Sequence, residues 1–493
     1  MSQLPVLIPA SLLLFALLAV VAGGRDGRWA HRISLVGAVV AHLVSLVGIA
    51  TVAGGGTTLR YALAGWAPPV GIEFVLDPLA AYMTGVVTFI GVVVLVYAPR
   101  SLAVEMPGKE RLAFPAMVLL LAGLTGMCVT GDIFNLYVFL EIAALAAYAL
   151  LASGDRGAPV ATFRYLIIGS LGGGFYLVGA TLLYLTAGTL NMADLHARLP
   201  ELVENRAVIS AALFMTVGLG VKMALFPMHF WLPDVYTNAP SAAAGLVAPV
   251  MTKVSAYVLI RLYLDVFPPG FVTAQLPLAS AVGWLSALGI VYGSVLAVAQ
   301  QDYRRMLAYS SVGQMGYIGL GIGLANPVGL VGGLLHILNH ALMKGCLFLI
   351  GGVVRHRCGI TRIPDMRGLG RVMPWTMAAF VVAALAMIGI PPTAGFFSKW
   401  YLLLGTLEAG NWWWFAAIIA SSLLSAVYFF RTVEMIFRHP EDGDWAATAE
   451  PGDPPASLLV PVLILGAAIV LAGVLNVVVV NALLAPAAAS LGG

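Results

Sequence analysis

GLGVKMALFPMHFWLPDVYTNAP, residues 218–240, is the stretch whose reading decides how this chain folds. It is apolar enough for a membrane-spanning helix, yet it holds Lys222 and then Pro227, Pro233 and Pro240. Proline removes an N–H donor and its ring clashes with the preceding turn, so no helix runs through all three undisturbed. A mirrored pattern stands in MIGIPPTAGFFSKWYLL, residues 387–403, where Pro391, Pro392 and Gly395 precede Lys399. Irregular backbone at membrane depth is tolerated only where protein or water satisfies its freed groups, so both stretches are predicted to line polar cavities. Two proline-interrupted segments in separate halves, each with a lysine, fit the broken helices of an inverted-repeat transporter.

Composition supports a membrane setting throughout. Of 493 residues, 61% are hydrophobic and 10% charged, and mean hydropathy is +0.97. Soluble domains carry about 25% charged residues, so a soluble globular protein is excluded. A spanning helix needs roughly 20 apolar residues, and about fourteen such runs lie between Leu4 and Leu484. The chain therefore reads as an all-α polytopic membrane protein of about 14 transmembrane helices. The longest polar stretches, 355–371 and 439–457, are each under 20 residues and leave no room for a soluble domain. No Lys or Arg precedes the first apolar run, so it is read as a span rather than a signal peptide.

The two basic residue types separate. Lys222, Lys253, Lys344 and Lys399 sit inside apolar runs, whereas Lys109 and the twenty arginines occupy loops or the ends of runs. A charge at the bilayer centre costs at least about 2.5–3.5 kcal/mol, so such placements point to function. Lysine also suits the task chemically: a buried lysine can give up its proton, whereas arginine stays charged. Of the 25 Lys and Arg, 17 lie in loops that follow odd-numbered runs and 4 in the other loops. Taking the richer side as cytoplasmic places both termini outside the cell's inner or plasma membrane. Arg355, Arg357, Arg362, Arg367 and Arg371 carry much of that signal. Arg164, Arg261 and Arg431 are read as anchors near the cytoplasmic ends of runs.

Glu141 is the carboxylate nearest the middle of an apolar run, in DIFNLYVFLEIAALAAYALLAS, residues 132–153. It needs a cation nearby, and Lys222 or Lys253 are the candidates. Lys253 follows Pro249 in SAAAGLVAPVMTKVSAYVLIRL, too far from either end of its run to reach water. In HILNHALMK, His336, His340 and Lys344 recur every four residues and share one helix face. Histidine titrates near neutral pH, so this stripe is a candidate proton relay. Two His at that spacing also suit zinc, but no Asp, Glu or Cys completes a site, and no metal is expected. Cys128, Cys346 and Cys358 show no metal-ligand spacing. No phosphate loop, nucleophile triad, haem-attachment or iron–sulfur pattern appears, so no cofactor is expected. The net charge of +3 gives no reason to expect nucleic acid.

Six stretches carry a family resemblance: FLEIAALAAYAL, GVKMALFPMHFWLPDVYTNAP, APVMTKVSAYVL, DYRRMLAYSSVGQMGYI, HILNHALMKGCLFLIGG and IPPTAGFFSKWYLL. Within roughly 112–438 the chain resembles the antiporter-like membrane subunits shared by complex I, membrane-bound hydrogenases and Mrp-type sodium/proton antiporters. The resemblance implies fourteen core spans, with spans 4–8 (residues 112–265) and 9–13 (277–438) as inverted repeats. Residues 1–111 would hold the first three spans and 457–484 the last. Spans 7 and 12 would be broken, at Pro227 and at Pro391 and Pro392. In family terms Glu141 and Lys222 form an ion-pair switch and Lys253 connects it inward. His336, His340 and Lys344 then belong to a central polar axis, and Lys399 is the terminal site. The implied partners are other membrane subunits, the lipid bilayer, H⁺ and Na⁺ or another monovalent cation.

Within the family, GITRIPDMRGLGRVMPWTMAAF and GFFSKWYLLLGTLEAGNWWW look most like the D-type subunits of Mrp antiporters. The alternative is a proton-pumping subunit of complex I or of a membrane-bound hydrogenase. Two other classes fit less well. A solute symporter needs an uncommitted central pocket, whereas these ionisable groups form a line. An inert assembly scaffold has no use for four buried lysines.

Overall fold

The computed structural model describes residues 2–24, 27–53, 57–440 and 452–489. In chain order, α1 (Leu4–Gly23) and α2 (Gly27–Val52) lead into a β-hairpin of β1 (Leu59–Ala62) and β2 (Glu73–Leu76). Then come α3 (Pro78–Glu105), α4 (Glu110–Val129), α5 (Ile133–Leu151), α6 (Ala158–Ala187) and a short α7 (Met192–Arg198). The first interrupted span is α8 (Arg206–Lys222) with α9 (Leu232–Asn238). It is followed by α10 (Ser241–Arg261), α11 (Leu278–Ala299), α12 (Tyr303–Leu324) and α13 (Pro327–Cys358). After the four-residue α14 (Leu369–Val372), the second interrupted span is α15 (Pro374–Ile388) with α16 (Ala394–Glu408). Two long helices, α17 (Trp412–Phe437) and α18 (Ala456–Val474), precede short helical turns over 476–489. Among the described residues, eleven helices are long and apolar enough to cross a membrane. The hairpin, pairing Leu59 with Leu76 antiparallel, is a departure from the all-α expectation. Each of its strands is only four residues long, too short to leave a period-two signal in the sequence.

Helix starts follow local chemistry. Asp77, Asp132, Asp302 and Asn326 cap α3, α5, α12 and α13, each side chain accepting a first-turn N–H. Within the first interruption the three prolines act differently. Pro227 lies in the break itself, Pro233 sits in the first turn of α9, where a missing N–H costs little, and Pro240 immediately precedes α10. In the second interruption Pro391 and Pro392 lie between Ile388 and Ala394, after Gly389 turns the chain at φ +95°.

Burial ranks the helices. The most apolar window of α10 with its following turn is 100% enclosed by protein and that of α13 is 94%, against 33% for α1 and α2. So Lys253 and Lys344 stand on two highly enclosed helices, while α1 and α2 are exposed on much of their surface. Glycine permits the closest helix contact near Lys222. A Cβ on Gly218 of α8 would lie 2.5 Å from the Gly172 carbonyl of α6, so the two backbones touch directly.

Candidate functional site

Lys222 is the last residue of α8 and is 2% exposed. The chain then leaves the helix, with Ala224 at φ +57°. Carbonyls freed by the break are satisfied locally: the Leu225 N–H donates to Gly220 O at 2.8 Å, and the Trp231 indole N–H to Val221 O at 3.1 Å. Neither donor takes up the lysine. Its Nζ lies 3.7 Å from Glu141 Oε1 of α5, and neither atom has another hydrogen-bond partner among the described residues. At that separation the two groups attract as charges without a good hydrogen bond. Glu141 is held from behind by α6, where a Cβ on Gly173 would come within 2.4 Å of Glu141 Oε1. Its side chain is also 27% exposed on the outer surface of the bundle.

Lys399, in the second interruption, is solvated differently. It belongs to α16 but reaches back across the break, donating to the carbonyls of Met387 and Ile388 at 2.9 Å each and to Ser422 Oγ at 3.2 Å. Those carbonyls end α15, so the ammonium caps the negative pole of a half-helix. It is 5% exposed, so the ammonium does not snorkel to the surface of the bundle. The Tyr317 ring stands 5.0 Å from Lys399 Nζ and 5.2 Å from the His336 ring, and so bridges the two.

His336 and His340 stack with centroids 5.8 Å apart, both fully buried on α13. His336 Nδ1 is 2.9 Å from Ser398 Oγ, and Nε2 is 2.9 Å from Gln314 Oε1. Ser398 Oγ lies 3.2 Å from the Gly395 carbonyl, to which it donates. It then accepts from Nδ1–H, which leaves Nε2 to meet Gln314. A turn of that amide end for end decides whether the ring is neutral or doubly protonated. Neither nitrogen of His340 has a hydrogen-bond partner among the described residues. One turn on, Lys344 donates to Leu307 O at 2.7 Å and to Ser310 Oγ, both on α12. Lys253 donates to Ala248 O at 2.6 Å and Thr252 Oγ1 at 3.4 Å on its own helix. It lies within Coulombic reach of His336, His340 and Lys344. Because α10 packs on both α8 and α13, Lys253 stands on the helix that joins the first break to the histidine stripe.

Sequence reading left out several partners. Gln314 and Ser398 hold His336, yet an uncharged polar residue in an apolar run carries no signal of its partner. Arg304, counted among loop cations, is only 3% exposed and donates to Ala239 O at the end of α9 at 2.7 Å. Arg261, expected as an anchor near the cytoplasmic end of its run, is the last residue of α10 and is fixed between Asp77 and Asp265 at the hairpin end of the bundle. Burial there pushes the Asp77 carboxyl up, but the Arg261 guanidinium and two backbone N–H groups reverse this and hold it below its ordinary range. Among the described residues no three His, Cys, Asp or Glu cluster as a metal site would require.

Comparison with known proteins follows the same lines. Residues 130–425 match the family described as NADH:quinone oxidoreductase/Mrp antiporter, transmembrane. NADH-quinone oxidoreductase subunit N of Desulforudis audaxviator is 49% identical over 431 residues, 85% of each chain. The D-type subunit of the Na⁺/H⁺ antiporter of Alkalihalophilus pseudofirmus is 34% identical over 354 residues, 71% of this chain and 70% of the relative. A chain of the Mrp complex from Dietzia sp. superimposes with a TM-score of 0.89 at 27% identity, covering 99% of this chain and 97% of its own. This chain is a multi-pass membrane protein that belongs to the NADH:quinone oxidoreductase/Mrp antiporter family.

Proposed function

We propose that the chain is the proton-translocating membrane subunit of a multisubunit cation/proton antiporter with Na⁺ as the exchanged cation. The observation that carries this reading is the Lys222–Glu141 pair at a helix break, its lysine buried, with three further buried lysines and two histidines on α10, α13 and α16. Counting each interrupted pair as one crossing, and α12 as another, the eleven long apolar helices become fourteen spans. In this reading residues 112–265 and 277–438 are the two inverted units, Pro227 and Pro391–Pro392 break them, and both termini face outward across the plasma or inner membrane.

Protons enter at Glu141 and Lys222. Separating that pair leaves the lysine charge without its counter-ion, which favours release towards Lys253 and the stripe of His336, His340 and Lys344. Charge arriving beside Tyr317 then favours release from Lys399. Glu141 is 27% exposed on a spanning helix, so its charge is met by a neighbouring membrane subunit or by water on the proton's entry path. Sodium prefers oxygen ligands and passes through that partner or along the backbone carbonyls at the breaks. The chain itself performs no redox chemistry.

A second reading, a proton-pumping subunit of a quinone-reducing complex, is favoured by the 49% identity to subunit N. Everted vesicles holding the complete complex separate the two. A Na⁺ pulse that discharges a pre-formed pH gradient without any electron donor supports antiport. Proton uptake that requires quinone reduction and ignores Na⁺ supports the alternative.

A further inference from the structure

Near the middle of α13 a side chain enters the helix from outside. The Tyr82 hydroxyl of α3 donates to Leu334 O at 2.7 Å and accepts from the Leu338 N–H at 3.2 Å. It thus engages both groups of one i, i+4 backbone pair, on either side of His336. Tyr82 and Leu338 also form one wall of a cavity of about 570 Å³ bounded by α2, α3, α13, α18 and the turns over 476–489. The other walls include Leu46, Phe89, Leu342 and Leu471. Only two lining side chains carry polar atoms. The Tyr82 hydroxyl is occupied by α13, and His42 Nδ1 is bound to Thr88 Oγ1 at 3.0 Å, which leaves a single uncommitted ring nitrogen. Leu46 is 45% exposed and Leu471 57%, so the cavity opens on the outer surface of the spans.

Size selects the occupant. One turn of helix, about 10 Å across and 5.4 Å long, fills roughly 420 Å³, so the cavity holds little more than one turn of a partner's helix. A dry apolar cavity of about 150 Å³ accepts benzene, and at that density 570 Å³ has room for roughly twenty carbon atoms. Left empty, such a space forfeits dispersion contacts along all its walls, and the medium at its mouth is hydrocarbon. We propose that this cavity is a binding site for one acyl chain of a membrane phospholipid, seated directly against the Tyr82 contact on α13. The inference rests on shape and polarity and is independent of the transport reading.

Photolabelling tests it with the full chain in its native membrane. A phosphatidylethanolamine carrying a diazirine midway along one acyl chain is incorporated, irradiated, and its adducts mapped by peptide mass spectrometry. Adducts within 464–472 are expected, falling at least fivefold in Ala468→Trp and by an intermediate amount in Ala468→Leu, which keeps the test alive if the larger side chain impairs folding. Labelling unchanged by both substitutions overturns the proposal. So does a photoreactive residue at position 46 that captures another polypeptide rather than lipid.

Discussion

The two interrupted spans look alike as sequence and differ as electrostatics. Each has a lysine beside prolines in an apolar run, yet Lys222 faces a carboxylate and Lys399 faces only neutral dipoles. At the first break two opposite charges share a site, and the ammonium depends on Glu141. At the second, two carbonyls, a serine hydroxyl and the Tyr317 ring solvate the ammonium, and no carboxylate pairs with it among the described residues. One site is a pair that can be separated. The other is a socket that can be filled or emptied. The difference teaches that a repeated motif need not repeat a mechanism, because the deciding partner comes from another helix.

The comparison can be attacked first at its stronger pole. Removing one member of a buried ion pair typically costs about 3–5 kcal/mol, because the remaining charge is left uncompensated. Glu141→Gln and Lys222→Ala are each expected to abolish cation-driven pH change in everted vesicles, roughly a 100-fold loss or more, with assembly of the complex retained. The double variant should be little worse than either single one, since both remove one interaction. Wild-type exchange in either single variant would end the relay reading.

At the second break Lys399→Arg keeps the charge and removes the releasable proton, so a loss of about tenfold or more is expected. Undiminished exchange would show that Lys399 does not titrate during turnover. Ser422→Asp sharpens the contrast by giving Lys399 the carboxylate that Lys222 already has. A charge-assisted contact worth about 1.5–3 kcal/mol should trap the ammonium and slow exchange by roughly tenfold. A faster rate would mean that release at Lys399 is not limiting.

Gly173→Ala places a methyl 2.4 Å from Glu141 Oε1, so the carboxylate must shift. Exchange should fall about threefold, or roughly 0.7 kcal/mol, while Gly174→Ala, with nothing within 4 Å, leaves it unchanged. Equal effects at the two glycines would show that Gly173 does not position Glu141. Tyr82→Phe is read in stability and not in exchange: it removes one buried hydroxyl from α13 at about 1 kcal/mol. It should lower the thermal midpoint of the purified chain by a few degrees. An unchanged midpoint would show that α13 does not depend on the Tyr82 contact.

Much of the architecture was legible because lipid imposes simple rules. Apolar runs long enough to cross, prolines within them and lysines far from their ends all follow from desolvation, and they single out 218–240 and 387–403 without any contact information. The pairing of Glu141 with Lys222 rather than Lys253 was legible only through the family resemblance, not from spacing. From spacing both lysines were candidates, and it is the packed structure that places Lys222 Nζ 3.7 Å from Glu141 Oε1. Gln314, Ser398 and Tyr82 escaped for a related reason, since neutral polar residues make sense only once a partner helix is in place. The hairpin was missed because its strands are short. Arg304 and Arg261 stand at helix ends as read, but the carbonyl and the two carboxylates that hold them were not legible before the helices were packed.

The carbonyl socket around Lys399 has an electrical consequence. An ammonium and a carboxylate that form or part together carry no net charge through the field, but a cation held by neutral dipoles does. One elementary charge crossing the whole membrane exchanges about 2.3 kcal/mol with a potential of 100 mV, and a partial crossing takes its share. In the proposed relay, membrane voltage therefore acts on the charge taken up and released at the second break. At the first break it acts only on the proton that leaves Lys222, not on the pair while it is formed. With the potential clamped by a potassium ionophore, the voltage sensitivity of exchange should fall in Ser422→Asp and persist in Gly173→Ala. The end of the relay would then sense the energised state of the cell.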